Sequence, residues 1–235
     1  MDDISAIMPV LMVHGWGGSH QRTWQEPGIE MLLQESGRRV IGIDLLGHGL
    51  ADKPHDPAAY ADLSLPIRIA VDTDGRVDGR VDGIGFSLGA IALLHAATIN
   101  PNMFRRLILA DIGDSMFAPQ NESETARIIS GVDGTAPDDD TIARQFGAYA
   151  RQTHNDPDAL RAVLQRPRGD PFTELMANAI TAQVLVVVGD GDFVLPADRL
   201  AASFQNSRLQ VLRNCDHFAT PENFSFIDAM LDFFS

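Results

Sequence analysis

The sequence predicts an α/β fold in which a mostly parallel sheet lies between helices. Three observations predict it. Short apolar runs recur along the 235-residue chain and stop at glycine or aspartate. Helix-length segments separate them. The best-defined run, Val184 to Val188 (VLVVV), is apolar without alternation, as a strand covered on both faces must be. Strands that alternate with helices are joined by right-handed crossovers.

The strands are expected in order at Pro9 to Val13, Arg39 to Ile43, Arg80 to Gly85, Leu107 to Ile112, Val184 to Val188 and Leu209 to Leu212. A helix is expected from Arg22 to Ser36, stopping before Gly37, and another from Ser87 to Ile99, blocked by Asn100-Pro101. After Pro221, Phe224, Ile227, Met230, Leu231 and Phe234 recur at spacings of three and four, which places them on one face of a terminal helix. The interval from Asp114 to Ala179 is far longer than the roughly 10–15 residues of a single helical connection. Within it, Asn121 to Ile129, Asp140 to Arg151 and Pro157 to Gln165 read as helices, with Ser123, Asp138 and Asp156 as caps. The expectation is a helical insertion over one edge of the sheet. The repeat Asp74-Gly-Arg-Val-Asp78-Gly-Arg-Val-Asp82-Gly supplies no register with calcium-loop ligands and reads as a turn entering the third strand.

Composition narrows the function classes. Hydrophobic residues at 45% and charged residues at 21% describe a soluble globular chain rather than a disordered one. A net charge of −14, with Lys53 the sole lysine, argues against a nucleic-acid partner, which is gripped through clustered cations. No apolar run reaches the ~20 residues of a membrane span. Met1-Asp2-Asp3 lacks a signal-peptide profile and Cys215 stands alone, so a cytoplasmic protein is expected.

The chemistry-bearing residues cluster at strand ends. In Gly83-Ile-Gly85-Phe86-Ser87-Leu88-Gly89-Ala, a strand runs straight into a helix, the setting of a serine held on a sharp turn above the positive end of that helix. His14-Gly15-Trp16-Gly17-Gly18 follows the first strand. Its glycines let the loop approach the turn, so that the backbone N–H of Trp16 joins that of Leu88 in holding an oxyanion. His14 itself reads as a structural residue that holds the loop. VLVVV runs into Gly189-Asp190-Gly191-Asp192, where either aspartate could orient a histidine, and Asn214-Cys215-Asp216-His217-Phe218 places His217 on a loop at the same sheet edge.

These motifs together resemble the serine branch of the α/β-hydrolase superfamily, which holds small esterases, meta-cleavage-product hydrolases and cofactor-free haloperoxidases. HGWGG, GIDLLGHGLADKP, GFSLGA, VVVGDGD and CDHF occur in the family's order. The resemblance implies that Asp192, in the Gly-x-x-Asp position, is the triad acid. It also implies a sheet trimmed to about six strands, because His14 comes too early for the two strands that usually precede it. Ala51 stands where the family usually has serine, in a segment that is structural. Aspartate-nucleophile members of the superfamily are disfavoured by Ser87.

The expected enzyme is therefore a carboxylic ester hydrolase with Ser87, His217 and Asp192 as catalytic residues, and with Trp16 and Leu88 as oxyanion donors. Trp16, Phe86, Phe146 and Tyr149 are the expected substrate contacts, with Phe117, Leu160 and Phe172 as further apolar candidates. Arg144, Arg151 or Arg166 could grip a carboxylate. No metal or organic cofactor is called for. The expected partner is a small-molecule ester of short to medium acyl chain. The core is expected over residues 1–113 and 180–235, with a helical lid over 114–179. The alternatives are a C–C bond hydrolase, a thioesterase or methyl-ester hydrolase, and, from another class, a slow-turnover signalling receptor.

Overall fold

A computed structural model describes residues 8–74 and 80–235. The opening Met1-Asp2-Asp3 and most of the turn expected between Asp74 and Asp82 lie outside the described residues. Six strands, β1 (Val10–Val13), β2 (Val40–Ile43), β3 (Val81–Phe86), β4 (Phe104–Ala110), β5 (Gln183–Gly189) and β6 (Ser207–Leu212), pair in the order β2-β1-β3-β4-β5-β6, every pair parallel. All six fall on the apolar runs read from the sequence.

Side chains alternate across the sheet with period two and divide the core into two layers. Val10, Met12, Ile84, Ile108, Leu185 and Val187 face one side, where they meet α1 (Ile29–Glu35) and α9 (Phe224–Phe234) through Ile29, Leu33, Phe226, Met230 and Phe234. Leu11, Val13, Leu107, Leu109, Val184, Val186 and Val188 face the other, against α2 (Leu65–Thr73), α3 (Leu88–Ile99) and α8 (Asp198–Ser203). Burial on both faces is why these strands read as continuous apolar runs.

The helix expected over Arg22 to Ser36 is two pieces. A wide turn over Gln21–Gln25 ends at Pro27-Gly28, where Gly28 takes φ +82°, and α1 begins after it. Strand β4 stops two residues before the expected Ile112, because Asp111 adopts φ +55° and turns the chain.

Between β4 and β5 lie α4 (Glu122–Val132), α5 (Thr141–Ala150), α6 (Pro157–Leu164) and α7 (Glu174–Ala179). Asn121, Asp140, Asp156 and Thr173 cap them through side-chain oxygens that accept first-turn N–H groups. Of the expected caps, Asp156 serves; Ser123 and Asp138 lie beside the acceptors Asn121 and Asp140. Gly131 and Gly147 let α4 and α5 meet backbone to backbone, since a Cβ at Gly131 would sit 1.7 Å from the Ala143 carbonyl.

At the opposite edge from the site, Asp82 at the start of β3 is fully buried and accepts hydrogen bonds from Arg38, from Arg105 Nε at 3.0 Å and from the Arg106 N–H at 3.1 Å. This aspartate of the sequence repeat is thus held by arginines. No helix among the described residues is long and apolar enough to cross a membrane.

Candidate active site

In this strand order the chain changes direction between β1 and β3, so the loops after these two strands open a crevice at their carboxyl ends. Ser87 sits there, between β3 and α3, with φ +51° and ψ −112°, a conformation that non-glycine residues rarely hold. Two close approaches hold it. A Cβ at Gly85 would lie 2.6 Å from the Ala90 nitrogen, and one at Gly89 would lie 2.3 Å from the Val13 carbonyl oxygen. The Ser87 N–H donates to Ala110 O at 2.8 Å, and Ser87 O accepts from the Ile91 N–H, which locks the turn onto both β4 and α3.

His217, on the loop after β6, brings Nε2 to 3.0 Å from Ser87 Oγ. Its Nδ1 lies 3.1 and 3.0 Å from the two carboxylate oxygens of Asp192, on the turn after β5. The pairing with a carboxylate assigns the ring proton to Nδ1 and leaves Nε2 to accept from the serine hydroxyl. His217 and Asp192 are both buried. Asp190, the other candidate, points to solvent, and its carboxylate accepts from the Cys215 N–H at 3.3 Å. A hydroxyl bonded to an imidazole that is backed by a carboxylate can give up its proton while it attacks an electrophile.

The loop after β1 is fixed from below and above. His14 Nε2 accepts from the Leu45 N–H at 3.1 Å, so Nδ1 carries the proton and donates to Gly15 O at 2.8 Å; burial pulls this imidazole below its ordinary pKa. Trp16 Nε1 donates to Leu160 O of α6 at 3.0 Å, and Asn155 Nδ2 donates to Gly17 O at 2.8 Å. The main-chain N–H groups of Trp16 and Leu88 have no acceptor among the described residues, and both residues line the same cleft as Ser87 and His217.

Of the expected contact residues, Trp16 and Phe146 line this cleft of about 590 Å³, as do Phe172 and Arg166. Phe86 and Tyr149 do not. The Phe86 ring packs 5.4 Å from His217 beneath it, and Tyr149 packs against Phe218, 5.6 Å away. Arg144 and Arg151 line a separate groove between α4 and α5. Phe117 stacks on Phe172 at 5.7 Å, and Leu160 is fully buried.

Three residues at the site escaped the sequence reading. Phe193 lies 4.4 Å from the His217 ring and Phe218 lies 5.5 Å from it, and both touch Phe146. Each follows its aspartate or histidine directly, which was the available signal. Asp111 follows β4 next to Ser87 and is 1% exposed. Burial, reinforced by Asp192, pushes its carboxyl well above the usual carboxylate range, and neither oxygen has a hydrogen-bond partner of ordinary geometry among the described residues. Asp111, Asp192 and His217 each bring one polar atom within 4.8 Å of the others. Both His217 nitrogens are already engaged, by Asp192 and Ser87, and Asp111 stands beside that hydrogen-bonded line without joining it.

The fold, the serine turn and the residues gathered at this sheet edge define a hydrolase class, and the chain belongs to the alpha/beta hydrolase family, whose model matches residues 10–225. Among its relatives are the 2-hydroxy-6-oxo-2,4-heptadienoate hydrolase of Pseudomonas putida, 26% identical over 99% of this chain and 91% of that protein, and a 2-hydroxymuconate semialdehyde hydrolase of a Pseudomonas species, 25% identical over 95% and 85%. The fold is shared with an esterase from Exiguobacterium antarcticum at a TM-score of 0.74, with 19% identity over 97% of this chain and 91% of that one. It is shared equally with an enol-lactonase from Burkholderia xenovorans at 0.73, with 18% identity over 96% and 91%.

Proposed function

We propose that the chain is a serine hydrolase that cleaves carboxylic esters of short to medium acyl chain through an acyl-enzyme. The observation that carries this reading is the unbroken line from Ser87 Oγ through His217 to Asp192. His217 Nε2 takes the Ser87 proton as Oγ attacks the carbonyl carbon, and Asp192 steadies the imidazolium that forms. The N–H groups of Trp16 and Leu88 receive the oxyanion; losing one such donor typically costs on the order of 3 kcal/mol of transition-state stabilisation. The proton passes to the departing alcohol. Water then attacks the acyl-enzyme with His217 as base, and Ser87 is restored.

Residues 114–179 act as a lid in this reading. Phe146 from α5 meets Trp16, Phe193 and Phe218 around the imidazole and gives the cleft an apolar wall beside the reacting carbonyl. A low-polarity wall strengthens the hydrogen bonds to the developing charge.

A second reading is hydrolysis of a C–C bond in an oxo-dienoate, through the same three residues. The substrates in the names of the Pseudomonas relatives favour it. One panel tests both: p-nitrophenyl esters of graded chain length, a meta-cleavage diketone and a thioester. The ester reading expects kcat/KM on acetate or butyrate esters to exceed that on the diketone by at least tenfold, and the reverse ratio overturns it in favour of the second reading.

A further inference from the structure

The cleft does not end at its apolar wall. Along α3 its lining runs from Leu88 through Ile91 to His95, residues that share one helix face, and there it meets Arg166 and Arg168 on the segment after α6. At the helical rise of 1.5 Å per residue, His95 stands about 10 Å from Leu88. The cleft thus has the serine at one end and a cationic group at the other.

Arg166 is the unusual member. Its exposure is only 6%, and its one side-chain hydrogen bond runs from Nη1 to Val163 O at 2.7 Å. No carboxylate lies within ion-pair distance of it among the described residues. Glu124, which also lines the cleft, is held by Arg127 at 2.8 Å, and Asp170 is exposed at the rim. The other buried arginine, Arg38, is paired with Asp82. Burial, followed by the charge of Arg168, pulls the Arg166 guanidinium down to about 9, and the same two arginines depress His95, which burial already lowers. A guanidinium that is desolvated without a counter-ion is costly to keep, in a chain with an excess of acidic side chains that could have supplied one. An anion entering the cleft would supply the counter-charge that the described protein groups around Arg166 do not.

We infer that Arg166 anchors a second subsite that takes a carboxylate at the far end of the substrate, so that the substrate class is an ester, or other acyl compound, of an extended dicarboxylic acid. This rests on Ser87 being the nucleophile only for the position of the scissile carbonyl. The length of the α3 face between Leu88 and His95 leaves room for several methylenes between the scissile carbonyl and the remote carboxylate. The planar fork of Arg166 receives the remote carboxylate in a charge-assisted pair, Arg168 adds positive charge around it, and His95, held towards its neutral form, offers a ring N–H. Isoleucine 91 packs against the intervening methylenes.

The test is calorimetric binding to the Ser87→Ala protein of linear dicarboxylates from succinate to sebacate, each beside its monoamide. The expected result is binding that tightens as the chain lengthens beyond succinate, with the longer diacids bound about tenfold to a hundredfold more tightly than their monoamides at low salt. Arg166→Gln should bring that ratio close to one, and Arg166→Lys should restore part of it. Thermal unfolding is measured alongside. Should Arg166→Gln fail to fold, the length series and Arg166→Lys still decide. A ratio near one at every length, or a preference untouched in Arg166→Gln, overturns the subsite. Ester turnover by Ser87→Ala, assayed separately with p-nitrophenyl butyrate, bears on the nucleophile and not on the carboxylate.

Discussion

Asp111 and Asp192 bring two carboxyl groups to one buried place, each with an oxygen within 4.8 Å of the other and of a His217 nitrogen. They come from adjacent strands, β4 and β5, whose register sets Ala110 beside Val187, and Asp111 turns inward where its φ becomes positive. Asp192 faces His217, and Asp111, with no cation against it, is the one driven towards its neutral form.

The raised Asp111 means that the folded chain keeps a proton which the unfolded chain releases above about pH 4, so this residue lowers stability as pH rises. Asp111→Asn removes the penalty with little change of shape. The variant should unfold about 2–4 °C above the wild type at pH 8, the shift that ~1 kcal/mol makes in a chain of this size, and closer to it at pH 5. Thermal melts at the two pH values measure it. A variant that is less stable at pH 8 contradicts the assignment.

Asp192→Asn should lower kcat/KM on p-nitrophenyl butyrate by about 10³–10⁴-fold, because an amide at that position favours the wrong imidazole tautomer. Asp190→Asn, at an exposed carboxylate bonded to the Cys215 N–H, should change it less than threefold. Steady-state rates of the two variants, compared with circular dichroism to establish folding, separate the roles.

His48 is fully buried, its ring 5.0 Å from that of His14, and burial together with His14 drives it down to about 3. The unfolded chain takes up a proton near pH 6.5 and the folded chain refuses it. Stability is therefore complete above about pH 6.5 and is lost as pH falls towards 3. Urea unfolding of the wild type should lose on the order of 2 kcal/mol between pH 7 and pH 4.5 from this residue. His48→Gln should show a shallower decline, with part of the remainder carried by His14, which is depressed in the same direction.

The sheet was legible because its strands are buried on both faces, so that VLVVV and the run ahead of HGWGG carry no polar interruption, and the run ahead of GFSLGA carries one, Asp82, near the start of its strand. The three residues of the hydrogen-bonded line were legible because each follows a strand end and therefore lands at one edge. Asp111 met the same condition at the end of LILAD. It was passed over because its role depends on β4 lying beside β5, which brings it to Asp192, and no residue next to it in sequence points to that. Helices α2, α7 and α8 went unread: α2 begins at Leu65-Pro66 with a mixed apolar and charged run, and α7 and α8 are only six residues long. The split before α1 was readable in Pro27-Gly28. Which aromatic residues face the cleft could not follow from spacing, since Phe146 and Tyr149 lie on one short helix and only the packing of α5 against Trp16 and Phe218 separates them.

The central claim is that Ser87 attacks the substrate and carries the acyl group. Brief exposure of the wild type to a fluorophosphonate or a slowly released aryl ester, followed by acid quench and peptide mass spectrometry, tests it directly. A single adduct on the peptide containing Ser87, with no adduct and a loss of at least about 10⁴-fold in kcat on p-nitrophenyl butyrate in a folded Ser87→Ala protein, is the predicted result. An adduct on another residue, or turnover by Ser87→Ala at the wild-type rate, would contradict it.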